Sequence, residues 1–66
     1  MGFYFDFKAC ECHNTTGELE SIPAGRHIVT ELGDVVTVEI ATKTFELYKD
    51  DFKSLQKRNI VTQPLG

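Results

Sequence analysis

The sequence predicts a mainly β domain with one short helix, in the order strand, strand, strand, strand, helix, strand. Three observations carry this. Period-two alternation of β-branched and aromatic residues recurs in separate stretches of the chain. One change to helical spacing follows Tyr48. Turn-forming residues fall between the stretches. A chain of 66 residues suffices for one domain, residues 1–66, and a domain that small buries only about 60% of the surface its unfolded form exposes.

Residues 3–9 read FYFDFKA, with Phe3, Phe5, Phe7 and Ala9 on one face and Tyr4, Asp6 and Lys8 on the other. Three phenylalanines on one strand face supply core, whereas a base-stacking platform needs an exposed, basic setting. The strand runs on into Cys10, Glu11, Cys12 and His13. If regular, it sets both cysteines on the polar face with Tyr4 and Lys8, and His13 opposite. Residues 14–25, NTTGELESIPAG, read as the long loop, closed by a Pro-Ala-Gly turn.

The second strand covers residues 26–32, with Ile28 and Leu32 on one face and Val29 on the other. Gly33-Asp34 then turns the chain. A two-residue turn would bring His27, Val29 and Glu31 onto the face of Val36, Val38 and Ile40. A three-residue connection with a bulge instead pairs Leu32 with Val36, Thr30 with Val38 and Ile28 with Ile40. The bulged form keeps Glu31 out of the core and is the one expected.

In residues 35–48, continuity of the apolar face calls for Ile40 opposite Phe45 and Val38 opposite Leu47, through a four-residue loop over residues 41–44. That register sets Glu39 against Glu46, a like-charge pair that is unfavourable across a ladder unless a cation or shared proton relieves it. After Tyr48, Asp50 can cap a helix, Lys57 and Arg58 suit its negative end, and Asn59 is a left-handed stop. Phe52 and Leu55 face inward. Ile60 and Val61 form a short last strand, and Pro64 and Gly66 mark a frayed end. The expected core is Phe3, Phe5, Phe7, Ile28, Val36, Val38, Ile40, Phe45, Leu47, Phe52 and Leu55.

Four strands, a helical turn and a last short strand is an order similar to that of SH3-like small barrels. The resemblance implies a small, partly open SH3-like barrel or a strongly bent antiparallel sheet. It is architectural, and no residue motif brings a family's binding residues with it.

Seven Lys and Arg against ten Asp and Glu give a net charge of −3, too acidic to draw nucleic acid as a whole and too mild to mimic its phosphates. No apolar run approaches a membrane span, and the first residues lack a signal peptide's basic start and apolar core. The cytosol is the expected location, with no membrane partner.

Cys10, Cys12, His13 and His27 are the ligand types zinc prefers, but Cys-x-Cys spacing holds both thiols on one strand face and turns His13 away. No cofactor is therefore expected. No cysteine has an evident oriented base, so an enzyme is not expected either. Lys49, Lys53 and Lys57 recur every fourth residue, with Arg58 at the edge, giving the helix one basic face able to meet phosphates.

The leading expectation is a protein-interaction module, an accessory, regulatory or inhibitory protein that contacts its partner through outward-facing Tyr4, Val29 and Tyr48. Self-association through an open sheet edge is a further expectation. The second reading is a nucleic-acid-associated regulator using the basic helix face. A zinc-stabilised form of either is the third.

Overall fold

The computed structural model describes residues 2–64. Its elements run β1 (Gly2–Phe7), β2 (Cys10–His13), β3 (Leu19–Ile22), β4 (Gly25–Leu32), β5 (Val35–Ile40), β6 (Lys43–Tyr48), α1 (Lys49–Lys57) and β7 (Val61–Thr62). The domain is mainly β with one short helix, as the alternation predicted. Five strands form an antiparallel sheet in the order β6-β5-β4-β1-β7, and β2 and β3 form a separate hairpin. Strands β6 and β7 are the two edges of the sheet, which does not close into a barrel. Among the described residues no helix is long and apolar enough to cross a membrane. Gly66, expected in a frayed end, lies outside the described residues.

The strand order departs from expectation because residues 14–25 are not one loop. The first strand ends at Phe7, and a break at Lys8 and Ala9 starts β2 as a new strand. Residues 10–22 then form a hairpin with Cys10 opposite Ile22 and Cys12 opposite Glu20. Its tip is held by Asn14, whose Oδ1 accepts from the Thr16 and Glu18 backbone N–H groups at 2.9 and 3.0 Å and from the Thr16 hydroxyl at 2.7 Å. An Asn side chain folded onto the following backbone is a turn former in its own right. The break reverses the alternation, so Cys12 enters the core instead of lying on the polar face.

The β4–β5 connection is the two-residue Gly33-Asp34 turn, with Gly33 at a φ of +64° that suits glycine. It sets Leu32 opposite Val35, Glu31 opposite Val36 and Val29 opposite Val38. The bulged register is thereby overturned. Glu31 shares the core face but sits at the sheet margin, where its exposed carboxylate reaches Lys49 Nζ at 3.6 Å. Val29, expected outward, is 2% exposed and part of the core, and Leu32 turns out to solvent at 60%. Ile28, on Leu32's face, is only half-buried.

The β5–β6 register also differs, by two residues. Val38 faces Phe45 and Val36 faces Leu47, around a two-residue turn in which Ala41 takes a φ of 54°. The longer loop was expected because neither Thr42 nor Lys43 favours the positive φ of a tight turn centred on them, and the observed turn instead centres on Ala41 and Thr42. Packing outweighs that local preference, since this register stacks Val29, Val38 and Phe45 in one row. It also separates Glu39 from Glu46, which lie opposite Thr44 and Thr37.

The buried face of the sheet carries Phe7, Val29, Val36, Val38, Phe45, Leu47 and Val61, and is covered by Cys12 and Ile22 of the hairpin and Phe52 and Leu55 of α1. Phe5 and Ile40 pack at its margin. Phe3 is 59% exposed and outside the core, because no covering element reaches its end of β1. Phe52 meets Phe5 edge-on, with ring centroids 5.4 Å apart. The helix starts after Tyr48 without a side-chain cap, so Asp50 lies in its first turn and is not the cap. It ends as expected, with Asn59 at a φ of 59°. The Ile60 N–H bonds to the Leu55 carbonyl and the Asn59 N–H to the Gln56 carbonyl, the paired closure of a left-handed helix stop. Ile60 thus belongs to the stop, and the last strand begins at Val61.

Three substitutions check this packing and register by thermal or denaturant unfolding. Leu47→Ala, in a fully buried site, is expected to cost ~2–5 kcal/mol, whereas Phe3→Ala should stay within ~0.5 kcal/mol. Ala41→Gly is expected to stabilise by up to ~1 kcal/mol, because glycine adopts the positive φ without strain.

Candidate interaction site

The two short turns that fix the register also decide what the sheet shows to solvent. Leu32 faces Val35, and Val35 faces Tyr48, so these three side chains form one row across β4, β5 and β6 on the outward face. Leu32 and Tyr48 are 60% and 49% exposed, and Val35 between them is half-buried. Beside the row, Asp34, Tyr48, Lys49, Asp50 and Lys53 line an open depression of about 590 Å³. The start of α1 is anchored there by the Lys49 N–H, which donates to the Asp34 carbonyl at 2.8 Å. An apolar strip is thus bordered by charges of both signs.

Tyr48 also has a structural role. Its hydroxyl donates to the Thr15 carbonyl at 3.2 Å, and the Thr15 N–H donates to the Glu46 carbonyl at 3.0 Å. Lys43 meets Glu20 at 3.2 Å a little further along. These contacts fasten the β2–β3 hairpin along the outer edge of β6.

The expected partner-binding residues are not brought together. Tyr4, 58% exposed, shares the outward face with Tyr48 but stands on β1, beside Ile28 of β4. Three strand spacings separate the two rings, about 14 Å across the sheet before any offset along the strands. Val29 is buried and offers no contact surface. Leu32 and Val35 were missed by the sequence reading because the bulged register turned Leu32 inward. Gly33-Asp34 as a plain two-residue turn was the signal that would have found them.

The basic helix residues are divided. Lys49 and Lys53 line the depression, where Asp34 and Asp50 stand beside them and Glu31 pairs with Lys49. Lys57 and Arg58 are exposed at the far end of α1. Three carboxylates against two ammonium groups leave the Tyr48 corner without an excess of positive charge.

The four candidate zinc ligands are not gathered into one site. Cys12 is buried in the core and Cys10 packs against it, while His13 is exposed. His27 Nε2 is 2.8 Å from the Pro23 carbonyl, and its ring lies 5.1 Å from that of Phe7. Among the described residues, no group of three or more His, Cys, Asp or Glu is placed to hold a metal ion.

Burial pushes both thiols above the usual cysteine range; for Cys12 the nearby charges of Asp51 and Cys10 push the same way, against smaller opposing pulls from the His13 backbone and Arg58, and Arg58 also opposes the rise at Cys10. A second open depression, of about 500 Å³, is lined by Ala9, Cys10, Glu11, Ser21, Ile22 and Pro23. It sets no imidazole beside the Cys10 thiol. No family model, no curated protein and no solved structure matches this chain.

A chelator is expected to leave the melting temperature unchanged, since Cys12 serves the core as a small apolar side chain; a fall on metal removal would reassign the Cys/His group. Because a raised pKa shrinks the thiolate fraction near neutral pH, alkylation of both cysteines should be slower than that of a free thiol. Its rate should climb with pH to a midpoint above the free-cysteine value, as followed by mass spectrometry.

Proposed function

We propose that this chain is a small protein-interaction module whose contact surface is the Leu32–Val35–Tyr48 row with its charged border. The observation that carries the reading is the exposure of Leu32 and Tyr48 on the outward face of the sheet, joined by Val35 on the strand between them. A domain of this size has little apolar surface to spare. An apolar centre with a polar, mixed-charge rim is the anatomy of a protein-binding patch.

The helix before the last strand is the part of the SH3-like small-barrel order that the fold retains, and it supports a module of that general kind built on an open sheet. On this reading it acts as an accessory, regulatory or inhibitory protein by occupying a partner's surface, not by catalysis. Two free cysteines suit a reducing compartment such as the cytosol. The nucleic-acid reading draws support only from Lys53, Lys57 and Arg58, because Lys49 is engaged by Glu31.

Affinity capture from the source cell, followed by titration of the captured partner, tests the proposal. Leu32→Ala and Tyr48→Ala are each expected to weaken binding by ~2 kcal/mol or more, and Tyr4→Ala by less. Tyr48→Phe, which removes only the hydroxyl, separates contact from the hairpin fastening and should retain binding. Loss of binding on reversing charge at Lys53 and Lys57, with no effect at Leu32 and Tyr48, would establish the nucleic-acid reading instead.

A further inference from the structure

The first strand has an edge that the chain's own last strand covers only in part. Strand β7 pairs with β1 at Asp6 and Phe7, and the Lys8 N–H donates to the Ile60 carbonyl at 2.8 Å. Backbone groups alternate in direction along an antiparallel strand. The N–H and C=O of Gly2 and Tyr4 therefore point the same way as those of Lys8 and Asp6, past the end of β7. Among the described residues no strand meets them. Extending the β7 register would bring Pro64 opposite Tyr4, and proline has no N–H to give the Tyr4 carbonyl. On either side of this edge stand Phe3 and Tyr4, 59% and 58% exposed.

We propose that this edge pairs with the same edge of a second copy of the chain, antiparallel about a two-fold axis, with Phe3 opposite Phe3 and Gly2 opposite Tyr4. The edge is complementary to itself in three respects. Gly2 and Tyr4 become hydrogen-bonded pairs that exchange N–H and C=O groups in both directions, so the groups that no described strand meets are satisfied in both copies. Phe3 falls at the intervening position, where facing side chains approach closest and aromatic pairs stabilise. Tyr4 faces Gly2, which brings no side chain of its own against the ring. That glycine is held bare by the fold, because a Cβ on Gly2 would sit 2.7 Å from Ile28 Cγ2 and 3.0 Å from the Thr30 hydroxyl.

Charge does not oppose the contact, since residues 2–5 carry none and Asp6 is paired with Arg26 at 2.9 Å. The result is a sheet continuous through both copies, in which residues 63–64 of each chain leave the edge after Thr62 so that the second copy's Gly2 stands opposite Tyr4. So short a pairing buries well below the roughly 800 Å² per partner of a standard interface, so the dimer is weak and forms only at high concentration.

Sedimentation of the full chain from ~10 μM to ~1 mM tests this, because a weak edge pairing should raise the weight-average mass from that of one chain toward twofold over such a range. Over the same range, exchange of the Tyr4 amide hydrogen should slow, with amides of the buried strands unchanged. Phe3→Lys sets two ammonium groups face to face and should leave a monomer throughout, with an unchanged circular dichroism spectrum because Phe3 is exposed. The Leu32–Tyr48 surface is separate, so that variant should keep its partner. A constant monomer mass would overturn the proposal. So would a Tyr4 amide equally protected at every concentration, which would mean that the chain covers its own edge, or a Phe3→Lys variant that dimerises like the parent.

Discussion

Gly33 and Asp34 join β4 to β5 with no residue to spare, and much of the molecule follows from that turn. Once Leu32 is set opposite Val35, side-chain alternation sends Val29 into the core and Leu32 and Ile28 to the other face. Shifting the register by a single residue would exchange every one of these positions. The glycine's φ of +64° is what allows the two-residue form. Leaving Glu31 on the core side costs little, since it sits at the margin within reach of Lys49. Exposed ion pairs of this kind stabilise weakly, so its role is to make the register tolerable, not to drive it.

The second constraint is size. One sheet face must be covered, and a chain this short has no second sheet large enough to cover it. Two small elements do so together. The β2–β3 hairpin contributes Cys12 and Ile22, and α1 contributes Phe52 and Leu55. Neither would persist alone in water. The hairpin is held at its tip by Asn14 and along β6 by Thr15, Tyr48 and Lys43. The helix is held at its start by Asp34 and at its end by the stop at Asn59. Each cover is thus fastened at more than one point along its length.

The same economy gives the surface its character. Strand β6 is a sheet edge, yet its Glu46 carbonyl is taken by Thr15, so the hairpin blunts it. The opposite edge is divided between the short β7 and the part of β1 that no described strand meets. Outward apolar side chains collect at the Leu32–Val35–Tyr48 row, and the charges beside them are mixed in sign. Tyr48 belongs to both the scaffold and this surface, so contact there bears on how firmly the hairpin is held.

By itself the sequence determined the elements with strong local signals. Alternation placed the strands that became β1, β4, β5 and β6, and spacing placed Phe52 and Leu55 on the inner side of a helix ended by Asn59. Of the expected core, Phe7, Val36, Val38, Phe45, Leu47, Phe52 and Leu55 are buried. The hairpin was not legible, because strands of four residues such as CECH and LESI carry too few apolar positions to show a period. Register was not legible either, since alternation says which residues share a face of one strand but not which face of the next strand they meet. That choice rests on summed packing across three strands, as in the Val29–Val38–Phe45 row, and on a backbone conformation at Ala41 that its residue type disfavours. The candidate surface inherits this limit. Tyr4 and Tyr48 were readable as exposed, but Leu32 and Val35 became Tyr48's neighbours only when tertiary packing fixed the register.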